Sequence, residues 1–413
     1  MAKVRPFKAL RPQRKYADKV ASLPYDVMST KEAKDMAEGN KYSFLHITRS
    51  EIDFEDGQDQ YTKEVYCQAR DNMNQYVAEG VFCQDPKPMI YVYRQTMGDH
   101  TQTGIVGCVS IDEYENDTIK KHELTRKEKE KDRINHFNIA NANTEPVFLT
   151  YKDNTKIRAL IESYISNHPL EYDITTIDGI NHKLWAVTND SVIAGICGLF
   201  DLVDSFYIAD GHHRAASAFE VGKYRRNKMG QFTGSEEFNY FMAAIFPDRD
   251  LKIYDYNRVV KDLNGRSKDE FIEELISAGF VVELHGDKPF RPGNKHEFGM
   301  FLDNIWYKIV AQDHLLSGDL IEDLDVSILQ QKVLSPILGI EDPRLDVRID
   351  FIGGIRGLEE IEKRVNEDMK VGFSVYPVDV KDIIAISDLG GIMPPKSTWF
   401  EPKLASGLFV HEL

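Results

Sequence analysis

The sequence predicts a mixed α/β or α+β protein, and two observations lead to this prediction. Short apolar runs rich in β-branched and aromatic residues alternate with segments whose apolar residues recur at helical spacing. No internal repeat and no low-complexity linker are present, so domain boundaries are inferred from changes in pattern. The chain has 413 residues with 42% hydrophobic and 29% charged side chains, so we expect a folded protein with a substantial core.

Strand and helix signals interleave from the start of the chain. Ser29-Thr-Lys-Glu32 is typical of a capping box that opens a helix. Residues 42–48 and 89–93 predict strands because they are rich in aromatic and β-branched residues. A helix is predicted between these strands from apolar residues at helical spacing, which are Tyr61, Val65, Ala69, Met73 and Val77.

The middle of the chain predicts three more strands around one charged helix. The strands are residues 104–111, 147–151 and 206–209. A strongly charged stretch over residues 119–133 leads into a helix that we predict over residues 127–138.

The same alternation continues to the C-terminal part of the chain. Residues 252–256, 280–284 and 372–376 predict strands, whereas residues 268–278 and 358–368 predict helices.

The length suggests two or three domains. Changes in pattern divide the chain into an N-terminal α/β region over residues 1–100, a core over residues 101–250 and a C-terminal α/β region over residues 251–413. The last region ends in a Pro-Pro-Lys-Ser-Thr-Trp loop.

Charge and cysteine usage exclude several classes of protein. The 51 basic and 67 acidic side chains give a formal charge of -16, which disfavours general nucleic-acid binding but leaves a local basic patch open. The four cysteines form no Cys-x-x-Cys pair, so reduced thiols in a cytoplasmic protein are expected rather than structural zinc. No segment has the roughly 18 apolar residues of a membrane helix, and no secretion signal is expected.

Asp210-Gly-His-His-Arg214 is the most informative motif, because it lies between a predicted strand and a helix-forming segment. Free N–H groups at a helix N-terminus favour a phosphate, and Arg214 adds a guanidinium fork. His212 and His213 are candidates to contact phosphate oxygens or to transfer a proton. The alternative is a polar turn in which Asp210 caps the helix and the histidines are solvated.

A second cluster surrounds the start of the charged helix. Glu130 and Arg133 share a helix face if residues 127–138 are helical, so their carboxylate and guanidinium could meet. His122 and Glu123 precede this helix, and Glu123 is a candidate general base. The alternative for the charge run, which includes Asp132, is a solvated helix face.

A third cluster lies in the C-terminal loop. Lys396, Ser397, Thr398 and Lys403 offer cations and hydroxyls that suit a phosphate or carboxylate, while Trp399-Phe400 can anchor the loop in apolar surface. The alternative is a packed terminal loop without a ligand. No Walker A motif appears, and no Gly-x-Gly-x-x-Gly follows a strand, so the standard P-loop and dinucleotide folds are not supported.

The motif resembles the signature of the ParB/sulfiredoxin-like superfamily, and especially of its free-serine kinases. Their sequence order is a His-Glu pair, a helix carrying Glu-Arg, a Pro-containing strand and then Asp-Gly-His-His-Arg. This chain offers His122-Glu123, Glu130 with Asp132-Arg133, Pro146-Val-Phe-Leu149 and Asp210-Gly-His-His-Arg214 in that order. The resemblance implies a ParB/sulfiredoxin-like core with N-terminal and C-terminal α/β extensions.

Nearly the whole chain is also similar to domain-of-unknown-function family 1015, sometimes labelled SpoOJ-regulator-like. The segments that carry this similarity are Leu23-Pro-Tyr-Asp-Val27, Lys121-His-Glu-Leu-Thr125, Glu130-Lys-Asp-Arg133, Ala142-Asn-Thr-Glu-Pro146, Asp210-Gly-His-His-Arg214, Tyr256-Asn-Arg-Val-Val260 and Pro394-Pro-Lys-Ser-Thr-Trp-Phe-Glu-Pro-Lys403.

The resemblance to the serine kinases implies a role for each site residue. Glu123, beside His122, would be the general base for the serine hydroxyl, and Asp210 would help to place a divalent metal or the substrate amine. The transferred phosphate would be held by His212, His213 and Arg214. The long C-terminal region departs from the smaller kinases, so the phosphate contacts expected of Lys396, Ser397, Thr398 and Lys403 rest on their side-chain chemistry alone. The expected supporting residues are Glu130, Asp132, Arg133 and Asn143.

The resulting hypothesis is a kinase that makes O-phospho-L-serine from free serine, with Mg²⁺ and with ATP, ADP or pyrophosphate as donor. The main alternative is a ParB-like regulator that binds nucleotide or DNA without small-molecule chemistry, although the acidic charge balance argues against DNA. A sulfiredoxin-like reductase is a third reading. It is disfavoured because His212 stands where that enzyme has its reactive cysteine. The expected partner is therefore a small molecule, with neither a membrane nor a nucleic acid.

Overall fold

The computed structural model describes residues 1–413, which form two compact units. Unit 1 contains Met1–Lys121, Thr125–Leu251 and Pro402–Leu413, and unit 2 contains His122–Leu124 and Lys252–Glu401. Helices and strands are mixed in both units, so the predicted α/β class is confirmed. None of the helices combines the length and the apolar character needed to cross a membrane.

The chain contains twenty strands and thirteen α-helices. The strands β1 to β20 are Leu10–Pro12, Phe82–Gln84, Ile90–Met97, His100–Ser110, Ile119–Lys120, Ala142–Asn143, Val147–Tyr151, Tyr172–Thr175, Asn181–Val187, Phe206–Asp210, Tyr240–Pro247, Lys252–Tyr254, Tyr256–Val260, Phe280–Gly286, Glu297–Leu302, Ile305–Ala311, Ile349–Gly353, Val371–Val375, Trp399–Glu401 and His411–Glu412. The helices α1 to α13 are Ala17–Val20, Thr30–Ala37, Leu45–Thr48, Lys63–Ala78, Ile111–Glu115, Lys127–Ala140, Thr155–Asn167, Asp190–Phe200, His212–Met229, Lys268–Ser277, Asp325–Leu329, Glu359–Glu367 and Val380–Asp388.

Unit 1 is built on an eight-stranded mixed sheet in the order β5-β10-β7-β11-β4-β3-β9-β8. Strand β10 runs parallel to β5 and antiparallel to β7, and β7 runs parallel to β11. The register between β10 and β7 shifts between Ile208 and Asp210, immediately before the turn into α9. Two short pairs, β1 with β2 and β6 with β20, complete the sheets of this unit.

The core of unit 1 forms because the inner strands are apolar along almost their whole length. All five residues of β7 are buried, as expected of a strand covered on both faces. The largest apolar cluster includes Val147, Leu149, Phe206, Ile208 and Ala215, so it joins these central strands to the first turns of α9. The end of β10 and the start of α9 are therefore held on a packed scaffold.

Unit 2 contains a six-stranded antiparallel sheet in the order β14-β16-β15-β18-β13-β17, together with the pair β12 and β19. Its apolar cluster includes Val259, Trp306, Ile352 and Ile361, so α12 packs on this sheet.

Most elements predicted from the sequence are confirmed. Ser29 and Glu32 form the reciprocal capping box at the start of α2. The helical spacing after Tyr61 corresponds to α4, on which Val65, Ala69 and Met73 are buried. The other predicted strands and helices correspond to β3, β4, β7, β10, β12, β14, β18, α6, α10 and α12, with shifts at some boundaries.

The predicted strand over residues 42–48 is wrong, because this segment ends in helix α3. The Phe44 carbonyl accepts the N–H groups of Ile47 at 2.9 Å and Thr48 at 3.0 Å. Side chains compete locally as well, since Asn40 Oδ1 accepts the Tyr42 N–H at 3.2 Å. The apolar residues Phe44 and Ile47 are buried in a cluster formed by helices and the short strands β1, β2 and β6, outside the eight-stranded sheet.

Replacing Gly104 with alanine is expected to destabilise unit 1, because a Cβ at this position would lie 2.2 Å from the Ile245 backbone oxygen. Strands β4 and β11 would have to move apart, at a cost of about 1–3 kcal/mol. Urea unfolding followed by circular dichroism measures this cost. In the control Gly198→Ala on α8, the added Cβ meets no atom within 4 Å. That variant should be stabilised by up to about 1 kcal/mol, and equal midpoints for the two variants would refute the steric argument.

Candidate functional site

The Asp210-Gly-His-His-Arg214 motif forms the predicted strand, turn and helix. Strand β10 ends at Asp210 and α9 begins at His212. The Gly211 N–H donates to Asp210 Oδ1 at 2.9 Å, and the first main-chain bond of α9 runs from the Ala215 N–H to the Gly211 carbonyl at 3.0 Å. The N–H groups of the first turn of an α-helix have no partner within the helix and carry partial positive charge. This helix end therefore suits an anion.

Gly211 is required at the turn for two separate reasons. Its φ of +94° lies in the region that side chains strongly disfavour. A Cβ at this position would also lie 2.8 Å from Arg214 Nε. The turn can thus bring its backbone close to the arginine only because residue 211 lacks a side chain.

Arg214 is buried and its guanidinium is engaged by protein groups. Nη1 donates to the Pro146 carbonyl at 2.6 Å, Nη2 lies 3.6 Å from Asp210 Oδ2, and the side chain is 3% exposed. Burial favours the neutral form, but the carboxylates of Asp210 and Glu145 help to outweigh it and raise the pKa of Arg214. Arg214 is thus a fixed cation beneath the helix N-terminus, and its predicted contact with phosphate stays a prediction.

Lys403 lies against Asp210, with Nζ 3.2 Å from Oδ2. Burial opposes ionisation of Asp210, but the charges of Lys403 and Arg214 outweigh it and hold the pKa of the carboxyl well below its usual range. Sequence reasoning grouped Lys403 with the C-terminal loop and did not foresee this pair. The pair joins the C-terminal segment of unit 1 to the turn between β10 and α9.

The two histidines of the motif have different surroundings. His212 is 5% exposed. His213 is only partly buried, and its Nε2 accepts the Arg126 N–H at 2.9 Å. A ring nitrogen that accepts a hydrogen bond carries no proton, so this bond selects the neutral tautomer protonated on Nδ1.

Helix α6, which contains part of the charged stretch, has a buried polar face and a solvated face. The solvated face is the alternative interpretation of this charge run. Arg133 Nη2 pairs with Asp132 Oδ2 at 2.8 Å, and its Cζ lies 4.0 Å from the ring centroid of Tyr25. Glu130 instead accepts the Thr125 hydroxyl at 2.7 Å. The predicted meeting of Glu130 with Arg133 does not form, because the adjacent Asp132 neutralises the buried guanidinium. The exposed face carries Lys127, Glu128 and Lys131.

Glu145 is a buried acid near this network that sequence reasoning did not single out. Its Oε1 accepts the Tyr25 N–H at 3.2 Å and the Ser406 hydroxyl at 2.5 Å, whereas Oε2 has no hydrogen-bond partner. Burial raises the pKa of Glu145, against the opposing charges of Arg214 and Arg133. The sequence contained a signal for this residue, because Glu145 directly precedes Pro146 and the largely apolar strand β7. An acid in such surroundings needs a buried partner.

Asn143 has a contact that accounts for its position without a ligand. Its Oδ1 lies 3.1 Å from His411 Nδ1, across the pair of β6 and β20. Since an amide oxygen only accepts, the imidazole donates this bond. The supporting role predicted for Asn143 stays a prediction.

The remaining predicted residues belong to unit 2. His122 is 1% exposed, and its carbonyl accepts the Met393 N–H at 2.8 Å. Glu123 is partly buried. Their predicted roles in proton transfer stay predictions.

The C-terminal loop of unit 2 is held in place by its own contacts. Lys396 has a φ of +58°, and its Nζ lies 5.3 Å from the ring centroid of Tyr256. The Ser397 hydroxyl donates to the Pro394 carbonyl at 2.6 Å. Phe400 is 2% exposed, which confirms that the loop is anchored by an aromatic side chain. Thr398 is partly buried between these anchors.

The structure therefore brings only some of the candidate residues into direct contact. Asp210 pairs with both Arg214 and Lys403, and Asp132 pairs with Arg133. These residues belong to unit 1, whereas unit 2 contains His122, Glu123, Lys396, Ser397 and Thr398.

The sequence model of the family described as "Protein of unknown function (DUF1015)" matches residues 4–327. The chain belongs to this family. This finding confirms the predicted similarity to domain-of-unknown-function family 1015, whereas the ParB and SpoOJ-regulator resemblances stay predictions. No functionally curated protein matches the chain.

Several solved structures are similar to this chain at low sequence identity. A mutant free serine kinase in complex with AMP is 15% identical, with a TM-score of 0.37 over 73% of this chain and 92% of the kinase. A conserved hypothetical protein from Pyrococcus furiosus is 16% identical, with a TM-score of 0.36 over 73% and 95% of the two chains. SbnI from Staphylococcus aureus with a C-terminal truncation is 11% identical, with a TM-score of 0.39 over 73% and 85%. Superpositions this weak carry no inference about activity.

Replacing Lys403 with methionine is expected to raise the pKa of Asp210, because the nearest cation is removed while most of the apolar stem is kept. A carboxyl whose pKa is lower in the folded than in the unfolded protein stabilises the fold. This stabilisation is complete at pH values above the unfolded pKa of about 3.9 and is lost as the pH falls to the folded pKa. The stability lost in the variant should therefore be largest near neutral pH and shrink below about pH 4.

Urea unfolding at several pH values and a carboxyl ¹³C titration of Asp210 test this prediction. A double-mutant cycle with Asp210→Asn isolates the pair. Additive effects of the two substitutions at neutral pH would show that the contact contributes nothing.

Proposed function

We propose that this protein is a small-molecule phosphotransferase that converts free L-serine to O-phospho-L-serine. The observation that carries the proposal is the Asp210-Gly-His-His-Arg214 turn at the N-terminus of the 18-residue helix α9, with Lys403 paired to Asp210. Phosphoryl transfer depends mainly on positioned donors and on neutralisation of phosphate charge. A helix N-terminus beside two cations meets both needs.

The proposal assigns a role to each residue of the turn and to the C-terminal loop. The N–H groups of α9, together with His212 and His213, bind the transferred phosphate. Arg214 and Lys403 contribute positive charge, and Arg214 also fixes the turn through its bond to the Pro146 carbonyl. Lys396, Ser397 and Thr398 supply further phosphate contacts.

Proton removal is assigned to Glu123, beside His122, on the family resemblance. The Glu123 carboxylate takes the proton of the serine hydroxyl as the bond from the serine oxygen to phosphorus forms. The bond from phosphorus to the donor's leaving oxygen breaks at the same centre. ATP, ADP or pyrophosphate would leave as ADP, AMP or phosphate respectively.

The expected Mg²⁺ would be held chiefly by the donor's phosphate oxygens. Nowhere in residues 1–413 are three histidine, cysteine or acidic side chains grouped to hold a metal ion by themselves. Magnesium in kinases commonly needs only one or two protein carboxylates besides phosphate. Asp210 is ionised and is the carboxylate assigned to the ion. Because its Oδ2 already pairs with Lys403, the ion would replace that contact, and it would supply charge neutralisation.

The first prediction of the proposal is product formation. Purified protein with L-serine, Mg²⁺ and one of the three donors should give a new phosphomonoester signal in ³¹P NMR. The matched reaction without serine should not give this signal. If no donor gives phosphoserine although nucleotide still binds, the proposal is wrong and a nucleotide-binding regulator is favoured.

Glu123→Gln should lower kcat by about 10²–10⁴-fold with little change in KM, because it removes a base but not a binding contact. Arg214→Ala should in addition raise KM for the donor. The control Glu128→Gln changes an exposed residue of α6 and should leave the kinetics unchanged. Thermal unfolding must accompany each assay, since losses that follow stability in both variants would contradict the assigned roles.

A further inference from the structure

Unit 2 contains a cavity of about 200 Å³ that shares no residue with the proposed phosphotransfer site. Its walls come from the loop before β15, the segment that leads into α11, the segment that follows β18 and the first turn of α13. The apolar part of the wall includes Leu320, Leu324, Tyr376, Pro377 and Val378. The cavity can therefore accept the apolar body of a small molecule.

Asp325 is the decisive residue in this wall. Its Oδ1 accepts the His296 N–H at 2.8 Å, whereas Oδ2 has no hydrogen-bond partner. The residue is only 6% exposed. A buried carboxylate oxygen without a donor is costly, so a ligand that donates to Oδ2 would gain free energy from that contact.

The other charged groups around the cavity already have partners. Lys295 Nζ pairs with Asp382 Oδ2 at 2.7 Å. Asp323 accepts the N–H groups of Ser317 and Gly318, both at 2.8 Å. Asp319 Oδ1 accepts two N–H groups of the following turn.

Acidic side chains thus outnumber cations in the wall, which disfavours an anionic ligand. A metal ion is disfavoured because no three suitable side chains converge anywhere in residues 1–413. A protonated amine matches the site, since it carries one positive charge and three N–H donors in a compact group.

We propose that this cavity binds a small primary amine whose ammonium group pairs with the Asp325 carboxylate and whose apolar body packs against Leu320, Leu324 and Tyr376. The site is independent of the proposed kinase activity. Its ligand class follows from an unengaged buried carboxylate oxygen next to an apolar wall.

The ionisation of Asp325 makes the binding dependent on pH. Burial and the nearby charge of Asp382 raise the pKa of Asp325 to about 7, against the opposing effects of the His296 N–H, the Lys295 charge and the Tyr376 N–H. A primary amine stays protonated up to about pH 10.4. Binding should therefore strengthen as the pH rises through about 7 and Asp325 becomes charged. The other titratable groups that face the cavity are Lys295, His296, Asp319, Asp323, Tyr376 and Asp382.

Isothermal titration of the full chain with propylamine and with isopentylamine tests the proposal, and isopentyl alcohol serves as the uncharged probe of the same shape. At least one amine should bind. Its affinity should be at least about tenfold higher at pH 8.5 than at pH 5.5, because Asp325 is mostly protonated at the lower pH. The alcohol should bind at least about tenfold more weakly than the amine at pH 8.5.

Three variants locate the binding. Asp325→Asn keeps the shape and should weaken amine binding about tenfold or more, whereas the exposed control Asp287→Asn should not change it. His296→Asn keeps the backbone donor, and asparagine tolerates the φ of +69° at this residue. This variant should keep the pH dependence, which shows that the titrating group is not His296.

Failure of both amines to bind, equal binding of amine and alcohol, or binding unaffected by Asp325→Asn would each overturn the proposal. If Asp325→Asn does not fold, Leu320→Trp replaces it as the test, because this partly exposed wall residue can fill the cavity with little effect on the core. Retention of amine binding in a folded Leu320→Trp variant would also refute the site. Phosphoserine formation is assayed separately, so that failure of either proposal is recognised by itself.

Discussion

Arg214 connects the three pieces of backbone on which the site of unit 1 depends. It lies in the first turn of α9, donates to the Pro146 carbonyl at the entrance of β7 and lies near Asp210 at the end of β10. A desolvated guanidinium is tolerated only with such partners, because an unpaired buried charge costs several kcal/mol. The position of Arg214 also requires glycine at residue 211, where any Cβ would meet its Nε.

Burial and neighbouring charges together determine which groups around Arg214 are ionised. Asp210 is ionised because Lys403 and Arg214 outweigh the cost of its burial, whereas Glu145 is shifted toward the protonated form. At the N-terminus of α9 two cations, Arg214 and Lys403, contact the single carboxylate of Asp210, and this suits phosphate chemistry. Asp325 of unit 2 shows the opposite case, since a buried acid with one unengaged oxygen favours a cation.

The fold could be predicted largely where local signals and tertiary packing agree. The apolar strand β7, the capping box of α2 and the helical spacing of α4 each specify one structure, and all three were found. The prediction of a strand over residues 42–48 was wrong, because the aromatic residues of this segment suit a strand as well as a helical turn. Packing of Phe44 and Ile47 and local bonds to Asn40 selected the turn. The division into three domains and the ParB/sulfiredoxin-like description stay predictions.

The sequence by itself determined the family, the α/β class and the strand-turn-helix around Asp210, because these depend on neighbouring residues and on short motifs. Only the tertiary structure decided that Lys403 pairs with Asp210, that Glu145 joins the buried network, and that Arg133 pairs with Asp132 rather than Glu130. The physical reason is that a side chain's charge partner depends on burial and strand order. Lys403 and Asp210 are 193 positions apart, and their contact forms only when the sheet of unit 1 is assembled.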